Sequence, residues 1–414
     1  MSPTPRAALV LAGLAALAVL VPVPLVLLAA LVLAAATAAD AAAVRAQPSV
    51  HRRLAAVLAR GVPSPFSVDV EPAGPGTRVR QPVPADFVVE PAEADGRLEG
   101  VMIPQRRGRH RVAAPAVRLT GPLGLGRWYH RGGEEAEVLV YPDLPAARRL
   151  AVAARQGRLG QEGRRVRGPL GLGTEFELVR DYSPDDDVRQ VNWRATARLG
   201  RPMSNQYRVD QDRDVICLVD TGRLMAAPLG DRSRLDAALD AVVAVAAVAE
   251  EVGDRCGAVA FDAEVRREAR ARRGGARAVV RAVFDLESNA VDSDYELAFT
   301  AVARAKRSFV LLFTDLLEEV AAKPLLEAVP ILARKHVVVV ATVTDPGVAA
   351  LVSTPPSTPL DVYAASVAFD ALDARAVVSA RLTRAGAEVV EAGPERFSAA
   401  CVSTYLGAKR RALL

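Results

Sequence analysis

Three textures of hydrophobic and polar positions follow one another along the chain. From Ala7 to Ala39 no charged residue interrupts the sequence, whereas about 20 apolar residues are enough to cross the hydrocarbon core of a bilayer. The run is therefore too long for one comfortable span. Pro22 and Pro24 sit near its middle, and two prolines so close either supply the turn of a helical hairpin or kink a single tilted helix. A transmembrane helical hairpin over residues 1–43 is the favoured reading. The alternatives are a single kinked span and a cleaved signal peptide ending at Ala36-Thr37-Ala38, although a signal h-region is only about 7 to 15 residues long. Arg45, Arg52, Arg53 and Arg60 follow the run, and excess arginine marks the cytoplasmic side. Anchorage in the cytoplasmic membrane, with the soluble domains facing the cytoplasm, is expected. Leu54, Val57 and Leu58 have helical spacing with arginines on the other face, which predicts a juxtamembrane amphipathic helix over 44–60.

Over 61–150 the pattern changes to short alternating runs broken by Gly and Pro. Phe66 to Val70, Phe87 to Val89 and Val138 to Tyr141 read as strands, and a small antiparallel β-sandwich accommodates them. From 213 to 414 apolar strands alternate with longer helical segments. Strands are expected at Val215 to Val219, Ala258 to Phe261, Phe309 to Phe313 and Val337 to Val343, with helices at Ser233 to Val252, Asp294 to Lys306 and Leu317 to Arg334. That alternation specifies an α/β domain, a mostly parallel sheet with helices on both faces. The fold class is thus α+β multidomain. Ligands bind such sheets at the carboxyl ends of strands near a switch point, and Asp220 and Asp315 stand at two of those ends.

Composition narrows the function more than the fold. A length of 414 residues with 51% apolar content supplies material for two soluble domains beside a membrane segment. The net charge of +5 rests on arginines, with lysine only at 306, 323, 335 and 409. No basic run is interleaved with stacking aromatics, so nucleic acid is not an expected partner. Cys217, Cys256 and Cys401 each lie among apolar neighbours and read as buried free thiols. The four histidines stand alone, without zinc-type spacing. Gly121-Pro122-Leu123-Gly124-Leu125-Gly126 recurs at 168–173; neither copy has the context of a nucleotide loop, so both read as turns.

Between the domains, within 151–212, lies Arg180-Asp181-Tyr182-Ser183-Pro184-Asp185-Asp186-Asp187-Val188-Arg189-Gln190-Val191-Asn192-Trp193-Arg194-Ala195-Thr196-Ala197-Arg198. Ser183 as cap, Pro184 at the first helical position and the acids of 185–187 at the dipole's positive end predict a helix start there, with Val188, Val191 and Ala195 facing inward. Nothing marks a paired acid and base across a pocket, a nucleophile elbow or a zinc helix. An enzyme is not expected.

This segment resembles the signature of the bacterial family known as domain of unknown function 58. The resemblance rests on Arg180, Tyr182, Asp186, Asp187, Arg189, Trp193, Ala197 and Arg198, followed by a strand ending at Asp220. It implies a membrane-anchored protein whose C-terminal domain is similar to a von Willebrand factor A domain. It further implies an interaction or adaptor role beside a MoxR-type AAA+ ATPase, with the lipid bilayer as the other partner. A complete domain of that kind holds a divalent cation such as magnesium through Asp-x-Ser-x-Ser, a Thr and a later Asp. Here the first motif reads Asp220-Thr221-Gly222-Arg223-Leu224, Ser293 stands for the Thr, and Asp315 matches the last acid. A degenerate metal site at Asp220, Ser293 and Asp315, serving metal-dependent ligand binding, is the alternative expectation.

Overall fold

The computed structural model describes residues 1–72, 74, 76–156, 175–183, 186, 188–208, 213–303, 305–315 and 319–411. The chain divides into two units, Met1–Tyr141 and Pro142–Leu414.

In the first unit the uncharged run forms two helices, α1 (Pro5–Leu17) and α2 (Val23–Ala43). Thr4 caps α1 by accepting the Ala7 N–H at 3.2 Å, and Pro5 takes the first helical position, where a missing N–H costs nothing. Pro22 and Pro24 fall at the start of α2, the place where a helix tolerates proline. The prolines therefore separate two helices rather than kink one. Of the two, α2 is long and apolar enough to cross a membrane, and α1 is a shorter apolar helix.

The amphipathic helix expected over 44–60 is absent. That stretch forms strands Ser49–Arg53 and Val57–Ala59. Three apolar positions in so short a window fit either period, and pairing decides: Val57–Ala59 runs parallel to Leu139, Val140 and Tyr141, while Arg52 is anchored on the Ala113 and Glu134 carbonyls at 2.8 and 2.7 Å. The rest of the unit is built from antiparallel pairings in sheets of five, four and three strands. Phe66, Val68, Leu98 and Met102 from the four-stranded sheet share one core with Val79 and Val117 of the five-stranded sheet and Leu58, Val112 and Val138 of the three-stranded one. In the five-stranded sheet β1 (Ala116–Thr120) and β2 (Gly126–Arg131) pair through the first Gly-Pro-Leu-Gly-Leu-Gly turn. Its second copy, at 168–173, lies outside the described residues.

The second unit begins with α3 (Leu144–Arg155), which the β-rich segment was expected to include up to 150. Ala147 and Ala151 of α3 are buried against the core of this unit instead. A two-stranded pair follows, β3 (Glu175–Asp181) with β4 (Met203–Arg208), enclosing α4 (Trp193–Leu199). Then come β5 (Asp214–Asp220), α5 (Arg234–Glu251), β6 (Arg255–Phe261), β7 (Val265–Arg272), α6 (Ala276–Val283), α7 (Tyr295–Ala303), β8 (Ser308–Phe313), α8 (Glu319–Ala333), β9 (Val337–Val343), α9 (Pro346–Ser353), α10 (Pro359–Arg384), β10 (Glu388–Ala392) and α11 (Phe397–Arg410). The sheet order is β7-β6-β5-β8-β9-β10, and only β7 runs antiparallel to its neighbour.

Strand side chains alternate between two apolar layers, as a period of two requires. Val215, Cys217 and Val219 join α5, α6 and α11 on one face, and Ile216 and Leu218 join α7, α8 and α10 on the other. Burial pushes the thiols of Cys217, Cys256 and Cys401 up, Cys256 to about 12. They are free thiols in the core. Buried Asp254 fastens α11 to the sheet by accepting from the Tyr405 hydroxyl and from Lys409 Nζ at 2.6 Å.

His336, just before β9, is 4% exposed and neither ring nitrogen has a hydrogen-bond partner among the described residues. Burial, reinforced by Lys335, holds its pKa below the ordinary value. The unfolded chain binds a proton near pH 6.5 (about the model-peptide value) that the folded chain resists, so stability present above that pH is lost as pH falls towards the depressed folded value. His336→Leu is therefore expected to flatten the decline in unfolding midpoint between about pH 7.5 and 5.5 relative to wild type. Parallel pH curves for the two proteins would contradict the assignment.

Candidate functional site

The carboxyl ends of β5, β6 and β8 each carry a buried aspartate: Asp220, Asp262 and Asp315. In this strand order β5 leads on to β6 on one side and β8 leads on to β9 on the other, so the β5/β8 boundary is the switch point where doubly wound sheets bind ligands.

Asp220 is 1% exposed and its carboxylate is already occupied by the chain itself. Oδ1 accepts from the Gly222 N–H at 2.8 Å and from the Ser293 hydroxyl. Oδ2 accepts from the Thr314 hydroxyl at 2.6 Å and the Tyr295 hydroxyl at 3.1 Å. Burial and then the charge of Asp220 push the Tyr295 phenol far up, so it remains a neutral donor. Asp262 accepts from Asn289 Nδ2 at 2.6 Å, the Glu264 N–H at 3.1 Å and the Thr221 hydroxyl at 3.4 Å.

Asp315 belongs to a different cluster. Its Oδ1 accepts from Arg375 Nη2 at 2.9 Å, and its Oδ2 pairs with the guanidinium of Arg234. Arg234 opens α5 and Arg375 lies within α10, and both are nearly fully buried. Burial lowers Arg234 to about 10, which leaves it a cation at neutral pH. The acid thus ties helices from opposite faces to the end of β8.

The expected trio is therefore only partly assembled: Ser293 meets Asp220, and Asp315 faces two arginines. The donor set does not fit a divalent cation. Four protein donors fill the Asp220 carboxylate, and two fixed positive charges sit where a cation would need Asp315. Gly222, at the position of a motif serine, has no room for a side chain, since a β-carbon there would press on Ser293 Oγ and lie 2.9 Å from the Val291 carbonyl oxygen. Among the described residues no cluster of three or more His, Cys, Asp or Glu side chains is arranged to hold a metal. Thr314 and Tyr295, which complete the Asp220 network, were not singled out from sequence. Thr314 had a signal, its place beside Asp315 at a strand end; Arg375, in a helix interior 60 residues away from its partner, had none.

In the signature segment the structure gives Asp186 another job than starting a helix. Arg180 grips Asp186 with both terminal nitrogens, at 2.9 and 2.6 Å, and the Ser183 N–H donates to the same carboxylate at 2.9 Å. The Arg180 guanidinium, and then the Ser183 amide, hold the Asp186 carboxyl below its ordinary value. The helix starts later: Asn192 caps α4 through the Ala195 N–H at 2.9 Å, after a single tight turn at Val188–Gln190 that includes Arg189. Asp187 lies outside the described residues, with Pro184 and Asp185. Tyr182 donates to the Asp186 carbonyl at 3.3 Å. Ala195 is buried as expected, whereas Val188 is exposed, and so are Trp193 and Arg198. An indole 71% exposed is not serving a core.

A groove of about 480 Å³ between α3, α5 and α11 brings Asp143, Arg149, Arg232, Asp240, Glu395 and Ser398 together. Two of its acids have structural partners: Asp143 caps α3, and Asp240 accepts the Asp143 N–H at 3.1 Å.

A doubly wound α/β unit preceded by the Arg180–Asp186 clamp and the exposed Trp193 is the class that fold and site define. Residues 178–357 match the family described as Protein of unknown function DUF58. Uncharacterized protein Mb1516 of Mycobacterium bovis and Uncharacterized protein Rv1480 of Mycobacterium tuberculosis are each 27% identical to it over 182 residues, which is 42% of this chain and 56% of theirs. The chain thus spans about half the length of the curated relatives it matches.

Proposed function

We propose that this is a membrane-anchored, non-enzymatic interaction protein. The Pro142–Leu414 unit, similar in strand order to a von Willebrand factor A domain, serves as its docking module, and the family resemblance supplies a MoxR-type AAA+ ATPase as the partner. One observation carries the reading: the crevice where such a sheet would bind a cation or small ligand is sealed by the protein's own Ser293, Tyr295, Thr314, Arg234 and Arg375. Apolar side chains are instead displayed on helices. Leu351 of α9 and Leu360, Tyr363, Val367 and Phe369 of α10 are 46–73% exposed, and large exposed apolar patches mark protein contacts. The arginines at 45, 52, 53 and 60 support a cytoplasmic orientation, within reach of a cytosolic ATPase.

Purification of the full chain from native membranes, with and without nucleotide, is expected to retain such an ATPase and to lose it when Trp193 is changed to Ala. Retention unaffected by both Trp193→Ala and Phe369→Ala would remove these surfaces from the account. Metal-dependent binding at Asp220 is the competing reading. Calorimetry with millimolar magnesium is expected to show no heat of binding, and heat abolished by Asp220→Ala would reinstate that reading.

A further inference from the structure

The feet of the two apolar helices stand on one support. At the start of α1, Ser2 and Pro3 pair with Arg127 and Gly126 of β2, the Thr4 N–H donates to the Leu125 carbonyl at 2.8 Å, and the Thr4 hydroxyl donates to the Gly124 carbonyl at 2.6 Å. At the end of α2, buried Asp40 accepts the N–H groups of Leu123, Leu125 and Gly126 at 2.8, 2.7 and 2.9 Å. Gly126 lies so close to α2 that a β-carbon there would be 2.6 Å from the Ala41 nitrogen. Both helices therefore leave the same β-turn. Only the part of α2 ahead of Thr37 is free of it.

The free length is short. The 13 residues of α1 rise about 20 Å at about 1.5 Å per residue, and Val23 to Thr37 rises about 22 Å. The hydrocarbon core is about 30 Å thick. Chemistry at the tip agrees with the length. Leu17-Ala18-Val19-Leu20-Val21-Pro22-Val23-Pro24 contains no polar side chain, with Val19 and Leu20 86% and 82% exposed. A turn emerging into water at the far face would need polar residues. Around the feet the chemistry reverses: Arg6, Arg45 and Arg131 are exposed, and Tyr129 on β2 is 55% exposed, the mixture of cations and amphipathic rings that settles at lipid headgroups.

We propose that the α1–α2 pair is a re-entrant anchor. It enters the bilayer from the face on which the Met1–Tyr141 unit sits, turns near the midplane and returns, with Arg6, Arg45 and Arg131 against lipid phosphates. This deepens the anchoring reading and rests on it.

The test uses the full chain in vesicles of phosphatidylethanolamine and phosphatidylglycerol, with one fluorophore on Leu20→Cys or, separately, on Leu123→Cys in the supporting turn. The native thiols are buried and stay unlabelled. Lipids brominated near the acyl-chain ends are expected to quench the Leu20 probe about twofold more than lipids brominated near the headgroup, and the order is expected to invert at Leu123. Stronger quenching of Leu20 by the shallow bromines would overturn the re-entrant path, because the tip would then lie at an interface. A protein that does not float with the vesicles would instead overturn the anchoring reading itself.

Discussion

Asp315→Ala is expected to destabilise the Pro142–Leu414 unit by about 3–5 kcal/mol, the cost of breaking a buried ion pair by removing one partner. The substitution strands two guanidinium groups, Arg234 and Arg375, that are nearly fully buried. Their burial already lowers the pKa of both, a sign that solvent does little for them. Replacing all three residues by apolar ones, Asp315→Leu with Arg234→Met and Arg375→Met, is expected to recover most of the loss, since an apolar cluster carries no desolvation cost. Denaturant titration followed by far-ultraviolet circular dichroism measures both. If Asp315→Ala unfolds at the wild-type midpoint, the carboxylate is not the clamp described above. If the triple variant is as unstable as the single one, the clamp holds through geometry rather than charge.

The second large effect is expected at the other end of the chain. Asp40→Ala leaves the N–H groups of Leu123, Leu125 and Gly126 without their acceptor, and a donor left unsatisfied in a buried place costs about 1–3 kcal/mol. The turn and the feet of both helices should loosen together, giving earlier thermal unfolding of the Met1–Tyr141 unit and new protease cleavage between Val44 and Pro48. Trp128, on β2, reports the transition by fluorescence. Membrane association should survive, because the apolar surface of α1 and α2 is unchanged. Unaltered cleavage and melting would mean that the helices do not depend on this carboxylate.

That Asp40 anion cradle shows where sequence reading stops. Gly121 to Gly126 reads correctly as a turn, and it lacks the context of a nucleotide loop. What the sequence does not display is that its amides converge on an anion after all, a carboxylate 83 to 86 positions away. Strands and helices of the α/β unit were legible because buried parallel strands such as Val337 to Val343 are unbroken apolar runs and Ser233 marks its helix with a capping box. The charged edge strand β7 was missed: with one side solvated, its arginines break the apolar signal. The helix α10 was missed because much of its apolar surface is displayed rather than buried, which blurs the helical period. At the candidate site, Asp220 and Asp315 were legible as acids at strand ends. Ser293 was named beside them, whereas Arg375 and Tyr295 were not, because they reach these acids only through the tertiary fold.

The most direct measurement for the docking account is photocrosslinking in intact cells from a photoreactive residue at Tyr363 on α10, with Ser379, on the same helix, as the comparison position. The account predicts a discrete adduct with a MoxR-type ATPase from position 363 that is missing from position 379 and lost when the ATPase is deleted. No protein adduct from position 363, or the same adducts from both positions, would contradict it.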